Sequence, residues 1–311
     1  MSRGESLTLL AIGALSIATT AGAQTAPADP LVKENATIKV AEHTYVIPDG
    51  NVGLVPNVGI IVGSRATLVI DPGLGKQNGD AVRREVSRVS KTSEYYVAST
   101  HYHAEHTTGI AAFPAPAKYV NSTVQDEEQV RSGAALIKTF SGRSPLTAEL
   151  LKDATVRKAD VPFDREYVLD LGGVRVRFLV VGPTHTAGDT GFFVEEDGVL
   201  FSGDVVMNNS FLAATPVSSM KAWLSAFDAF EALKPRTIVP SHGAVGGGSL
   251  VGLNRSVMLE VQTRARALKA QGRSADETAT TVQAEMQKKY PQWARANGVA
   301  AAARAAYAEA P

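Results

Sequence analysis

Short runs rich in β-branched residues open the body of the chain: Thr37–Val40, Thr44–Ile47, Val58–Val62 and Ala66–Ile70. Turn residues such as Pro48-Asp49-Gly50 and Gly63-Ser64 separate them, which predicts a meander of strands. Asp71-Pro72-Gly73 ends the fourth run, Asp80–Ser90 has a helical pattern with a basic face, and Tyr95–Ser99 is a strand that runs into a histidine cluster. After a polar middle section, Val174–Val181 is a strand, and Gly191–Glu195 with Val199–Phe201 forms a hairpin around Glu196-Asp197-Gly198. Met220–Leu233 puts Trp223, Phe227 and Phe230 on one helical stripe, a core face, and Thr237–Pro240 is the last strand. From Ser249 the pattern is helical. Gly246-Gly247-Gly248 is a flexible turn, Ser249 an N-cap, Ser274 and Glu277 are spaced as a capping box, and Val299–Ala310 is a packed helix or a frayed end. Strands and helices alternate in two similar halves, so the fold class is α/β (α+β), a two-layer or four-layer sandwich.

Composition narrows the chemistry. The 311 residues carry 31 Lys and Arg against 31 Asp and Glu, and this balance supplies no bulk field for nucleic acid or an acidic membrane. No cysteine is present, which excludes disulfides, thiolate zinc sites and cysteine nucleophiles. Arg3, the apolar Leu7–Thr20 and the small-x-small Ala21-Gly22-Ala23 predict a signal peptide over residues 1–23. Residues 24–36 are expected as a linker, 37–252 as the catalytic domain and 253–311 as a C-terminal helical extension for scaffold packing or a dimer contact. The mature protein is expected in the periplasm or secreted, without a stable membrane span.

Histidine is scarce, with six in the chain, and it is clustered. In Thr100-His101-Tyr102-His103-Ala104-Glu105-His106, His101 and His103 alternate by two and point the same way from a strand end, with Glu105 and His106 following as the chain turns. Imidazoles and a carboxylate gathered in six residues suit Zn²⁺ or a similar borderline cation. His185 and His242 each lie just past a strand, and Asp204 ends another strand between them. His43 stands apart and reads as structural, while Tyr102 alternates away from the histidines and should pack. The order Glu-His does not fit a His-Glu-x-x-His helix, His103 is one residue too close for the inverted form, and no Gly-x-Ser-x-Gly elbow is present.

With Asp71 after its strand, His101-x-His103-x-Glu105-His106, His185, Asp204 and His242 in this order, the chain resembles the metallo-β-lactamase superfamily from about Thr37 to Leu250. The resemblance implies an αββα sandwich with two metal ions at one edge of the paired sheets, Zn²⁺ first and iron or manganese as alternatives. His101, His103 and His185 would hold one ion, Glu105, His106 and His242 the other, and Asp204 would bridge them. Two cations about 3.5–4 Å apart supply hydroxide near neutral pH. Glu105 would orient it or pass its proton on, and Asp71 would fix the tautomer of a ligating imidazole.

Two positions depart from the family pattern. Glu105 stands where aspartate is usual, moving the carboxylate outward by roughly 1 Å or more, against a ligand tolerance of about ±0.2 Å. Asp189 stands where many members carry histidine. An aspartate at 204, where β-lactamases of the superfamily carry cysteine or serine, favours a general hydrolase of a small ester, lactone, thioester or amide. A class B β-lactamase is the second reading, and a non-hydrolytic zinc or iron redox module is one of another class. Asn208, Asn209 and Phe211 follow the Asp204 strand and are expected at the substrate, with specificity loops at Asn51–Asn57, Asn121–Asp160 and Asn208–Ser219. The oligomeric state is left open.

Overall fold

The computed structural model describes Met1 and residues 28–311, so the rest of the expected signal segment and the first linker residues lie outside the described residues. The strand runs form the expected meander. β1 (Ile38–Lys39), β2 (Thr44–Ile47), β3 (Val58–Val62) and β4 (Ala66–Ile70) pair antiparallel in sequence order, with Thr44 opposite Ile61 and Gly59 opposite Ile70. Helix α1 (Gly75–Val89) crosses over to β5 (Glu94–Ala98), which pairs parallel to β4. After α2 (Ala104–Thr107) come β6 (Lys118–Ser122), α3 (Thr123–Glu128), α4 (Ala134–Ser141), α5 (Pro145–Leu150) and β7 (Val161–Phe163), which completes a seven-stranded sheet.

A second sheet holds β8 (Glu166–Asp170), β9 (Arg175–Val180), β10 (Thr190–Val194) and β11 (Val199–Gly203). After α6 (Met220–Ala232), β12 (Thr237–Pro240) joins it parallel to β11, and β13 (Gly246–Gly247) closes its edge. Three helices follow: α7 (Leu250–Ala270), α8 (Ala275–Lys289) and α9 (Asn297–Glu309). The expected domain border at 252–253 falls in the first turn of α7.

Strand alternation sorts the apolar residues into three cores and thereby fixes four layers. In the first sheet Ile61, Leu68 and Ile70 face Phe178, Phe192 and Phe201 of the second, while Ile60 and Val69 face Val82 and Val86 of α1. The outer face of the second sheet, through Phe193 and Leu200, packs on Trp223, Phe227 and Phe230 of α6 and on the buried faces of α7, α8 and α9. Both faces of β4 are covered, which explains its unbroken apolar run.

Several expectations need correction. Asn121–Asp160 is not a specificity loop. Ser122 caps α3, and Ser144 with Thr147 builds a capping box around Pro145 at the start of α5, so this polar stretch folds as short helices. Ser249 does not cap α7 with its side chain, because its backbone is already helical and its hydroxyl accepts no capping bond. The Ser274–Glu277 box is present on α8, and the tail is a packed helix with Val299, Ala302, Ala303 and Ala306 buried. Residues 30–37, partly expected as linker, are docked on α1: Val32 donates its N–H to Asn78, and Asn35 N–H and the Thr37 hydroxyl reach the buried Glu85 carboxylate. No described helix is long and apolar enough to cross a membrane.

Candidate metal centre

The candidate residues gather where loops leave the ends of β4, β5, β9, β11 and β12. Asp71 follows β4 with φ of 56°, a left-handed conformation that aspartate tolerates better than most residues. That twist aims its carboxylate back across the strand ends. Oδ1 accepts from Thr100 N–H at 2.7 Å, Oδ2 accepts from the Thr100 hydroxyl at 2.8 Å, and Oδ2 forms an ion pair with His106 Nδ1 at 2.9 Å. The chain after β5 is held down by α1 at a place where only glycines fit. A Cβ on Gly79 would stand 2.1 Å from the Gly109 carbonyl oxygen, and one on Gly109 would stand 2.2 Å from that of Pro72.

Two groups of three ligand-type side chains result, each with its ligand atoms within 4.8 Å of one another: His101, His103 and His185, and Glu105, His106 and His242. In the first, His103 Nδ1 is 3.1 Å from His101 Nε2 and 3.3 Å from His185 Nε2. A tetrahedral cation with bonds to nitrogen of 2.0–2.1 Å needs ligand separations of about 3.3–3.4 Å, so these spacings fit one. Backbone carbonyls set the ring orientations: His185 Nδ1 lies 2.6 Å from Ala213 O and His242 Nδ1 lies 2.9 Å from Val55 O. Each ring donates there and turns Nε2 inward as a free lone pair.

The turn that carries His185 is built by two buried carboxylates. Asp189 accepts from Thr186 N–H at 2.8 Å, from the Thr186 hydroxyl at 2.7 Å and from the Thr184 hydroxyl. Glu128 of α3 accepts from the N–H groups of Ala187 and Gly188. Burial raises both carboxyls above their ordinary values. The loop carrying His242 is held by Asn57, which donates to Pro240 O and Gly243 O, and by Asp49, which accepts from Gly243 N–H at 2.7 Å. Sequence reasoning missed Asn57, Asp49 and Glu128, which have no spacing signal. It noted Asp189 only as a missing imidazole.

Charge is distributed unevenly over the cluster. Burial, and then the neighbouring imidazoles, push His101 and His103 well below the usual histidine value. Burial takes His242 down to about 4. Burial also works against a charged His106, yet the Asp71 and Glu105 carboxylates outweigh it and raise the ring to about 9. Burial pushes Glu105 up. It opposes ionisation of Asp204 as well, but Arg295, then His185 and His242, hold that carboxyl well below the ordinary range.

Asp204 belongs to neither group of three. Its Oδ2 is 3.7 Å from His185 Nε2 and accepts from Arg295 Nη1 at 2.8 Å. Arg295 comes from the connection between α8 and α9, in the extension expected to be scaffold, and nothing in its sequence context marks it. Asn208 and Asn209 line a cleft of about 570 Å³ beside His242 and Arg295. Phe211 does not. It is buried in the outer core, its ring 5.2 Å from that of Trp293, because the segment after Asn209 turns inward to receive the extension. Tyr102 packs near Ile110 and Ile137. His43 is remote from the cluster, donating its N–H to Asp197 and pairing its ring with the same carboxylate at 3.0 Å.

The donor set fits divalent cations. Among the described residues Glu105 Oε2, His106 Nε2 and Asp204 Oδ1 are buried without a hydrogen-bond partner, and such orphans are costly unless something else binds them. The sequence profile of the metallo-beta-lactamase superfamily matches residues 52–242. Over 189 residues, 61% of this chain, there is 23% identity to an atrochrysone carboxyl ACP thioesterase of Aspergillus fumigatus, of which the match covers 38%. Among solved structures the stereoselective inverting sec-alkylsulfatase of a Pseudomonas species is similar at TM-score 0.69 and 18% identity, covering 88% of this chain and 49% of that one. A metallo-beta-lactamase from Pontibacter korlensis gives TM-score 0.57 at 18% identity, covering 71% of this chain and 96% of that one. The chain thus spans less than half the length of the thioesterase and the alkylsulfatase, and the structural likenesses show a shared fold.

Proposed function

We propose that this chain, which belongs to the metallo-beta-lactamase superfamily, is an exported, dinuclear zinc enzyme that hydrolyses an ester, lactone, thioester or amide of a small molecule. The observation that carries this reading is the convergence of two separate ligand triads at one edge of the sandwich, with orphaned carboxylate oxygens beside them. Export rests on the N-terminal sequence pattern alone. In this reading His101, His103 and His185 hold one cation and Glu105, His106 and His242 the other, with Asp204 between them.

Bound cations supply Lewis acidity and a water acidic enough to deprotonate near neutral pH. The chain's own groups do the rest. Asp71 holds His106 by Nδ1 and leaves Nε2 facing inward. Ala213 O and Val55 O hold His185 and His242 in one tautomer, so neither ring must reorient during turnover. In this reading Glu105 Oε2, free of protein partners among the described residues, would take the proton of the attacking water. Burial pushes this carboxyl above its ordinary value, which favours holding that proton until it passes to a leaving group.

The test is elemental analysis of the purified protein followed by a substrate panel before and after chelation: a chromogenic cephalosporin, a lactone, a thioester and a sulfate ester. About two metal equivalents with chelator-sensitive turnover of one class supports the reading. A chain that loads two equivalents and cleaves none of the panel overturns it. Cephalosporin turnover alone would favour the β-lactamase alternative.

A further inference from the structure

We propose that Arg295 is an anion-binding residue of this centre, so that the substrate carries a carboxylate, sulfate or phosphate-type oxyanion next to the bond that is cleaved. This deepens the hydrolase reading above and rests on it. Arg295 reaches the centre by a built route. Ala294 donates its N–H to Asn209 O at 3.1 Å and accepts from Phe211 N–H at 3.0 Å, which pins the α8–α9 connection to the segment after Asp204. Gly298 permits the approach, since a Cβ there would stand 2.7 Å from the Leu212 carbonyl oxygen. Arg295 itself has φ of 59°, a strained conformation for a side chain of its size and one that persists where surrounding contacts impose it.

A guanidinium that served only to neutralise Asp204 would be expected to spend its donors inside the protein. Here one N–H is spent, Nη1 to Asp204 Oδ2, and among the described residues Nε and Nη2 donate to no protein acceptor. A third of the side chain, 34%, is open, and it lines the 570 Å³ cleft together with His242, Asn208 and Gln292. Among the described residues the one carboxylate lining that cleft, Asp49, already accepts from the N–H groups of Asn51 and Gly243, so it does not compete for the remaining donors. The planar fork of arginine matches a two-oxygen anionic group better than a neutral one. A second guanidinium stands near the cluster: Arg143 stacks 3.9 Å over the Phe140 ring, which lies 6.2 Å from the His103 ring. Two guanidinium groups therefore stand near the centre in a chain whose net charge is zero.

The test uses the metal-loaded, full-length protein and a matched pair of esters, 4-nitrophenyl hemisuccinate and 4-nitrophenyl butyrate, with calorimetric titration of succinate alongside. The wild type should favour the anionic ester in kcat/KM by about tenfold or more, the discrimination expected of a hydrogen-bonded charge. In Arg295→Met that ratio should collapse and succinate should bind about tenfold or more weakly, at unchanged metal content by elemental analysis. Arg295→Lys should fall between the two. Equal succinate affinity in wild type and variants, or a wild type indifferent to the charge of the ester, overturns the proposal. If neither ester is cleaved, the succinate titration still decides the role of Arg295, and the hydrolase reading stands or falls separately on the wider substrate panel. Should the methionine variant not fold, the wild-type preference and the lysine variant decide it.

Discussion

The two ligand triads lie side by side yet differ in what they ask of a cation. His101, His103 and His185 are all imidazoles, with His103 Nδ1 3.1 and 3.3 Å from its two neighbours, and His101 and His103 are driven by burial toward the neutral, ligating form. The Glu105, His106 and His242 group is looser. His106 Nε2 stands 3.8 Å from Glu105 Oε1, and the His106 ring is held protonated by Asp71. A cation entering the first triad finds His101 and His103 already in the neutral form. One entering the second must expel a proton, and it arrives where Arg295 already places a positive charge on Asp204. The difference teaches that two sites built from similar residues need not be equivalent, because the groups behind each ligand set its protonation.

The largest effect should follow from breaking the stronger triad. His101→Ala should lower metal content by one equivalent and kcat/KM by about a thousandfold, since loss of a Lewis acid removes several kcal/mol of transition-state stabilisation. Elemental analysis with steady-state kinetics checks it, and full activity at one equivalent would show that the second triad carries the chemistry. Asp71→Asn strikes the weaker triad from behind. Measured above about pH 9, where His106 no longer carries a competing proton, affinity for the second equivalent should fall about 10- to 100-fold, the usual cost of losing a residue that orients a ligand, while the first equivalent is unmoved. Competition titration with a chromophoric chelator resolves the two equivalents.

The inequality of the triads was only partly legible in the chain. The histidines could be read because each sits just beyond a short apolar run, so period-two patterning located the sheet edge and the edge located the site. The layers were legible for the same reason, since Ile60 and Ile61, or Phe192 and Phe193, alternate between two cores. What tunes the ligands was not. Glu128, Asn57 and Arg295 act across long separations in sequence, by hydrogen bonds to backbone or by one ion pair, and no local periodicity reports them. Helices α3 to α5 were hidden because their starts depend on caps, Ser122 and Ser144, and not on a continuous apolar stripe.

A pH titration sharpens the comparison without any substitution. The His106 value is raised to about 9, so below that pH a proton competes with the second cation. Apparent affinity for the second equivalent should climb about tenfold per pH unit up to about 9 and then level off, as one displaced proton requires. Affinity for the first equivalent should stay flat across the same range, because His101 and His103 are already deprotonated there. The metal-free protein shows the linkage with opposite sign. A histidine whose value is raised by folding stabilises the fold fully below its ordinary value of 6.5, and that contribution is lost as pH rises through about 9. Thermal unfolding of the chelated protein should therefore shift downward across that window, and a midpoint that rises instead would remove the Asp71–His106 pair from this account.

The smallest effect concerns Glu105, and its sign is the informative part. Glu105 sits on the second residue of α2, a helix entered from His103 and held by the Gly79–Gly109 contact with α1, so its backbone has little room to advance. From that fixed position the longer side chain brings Oε1 to 3.8 Å from His106 Nε2. Glu105→Asp removes one methylene and should leave the carboxylate roughly 1 Å short, well outside a ligand tolerance of about ±0.2 Å. Affinity for the second equivalent should then fall several-fold with the first untouched. If it rises instead, the backbone already suits aspartate, and the extra methylene of Glu105 is itself a source of the weaker site.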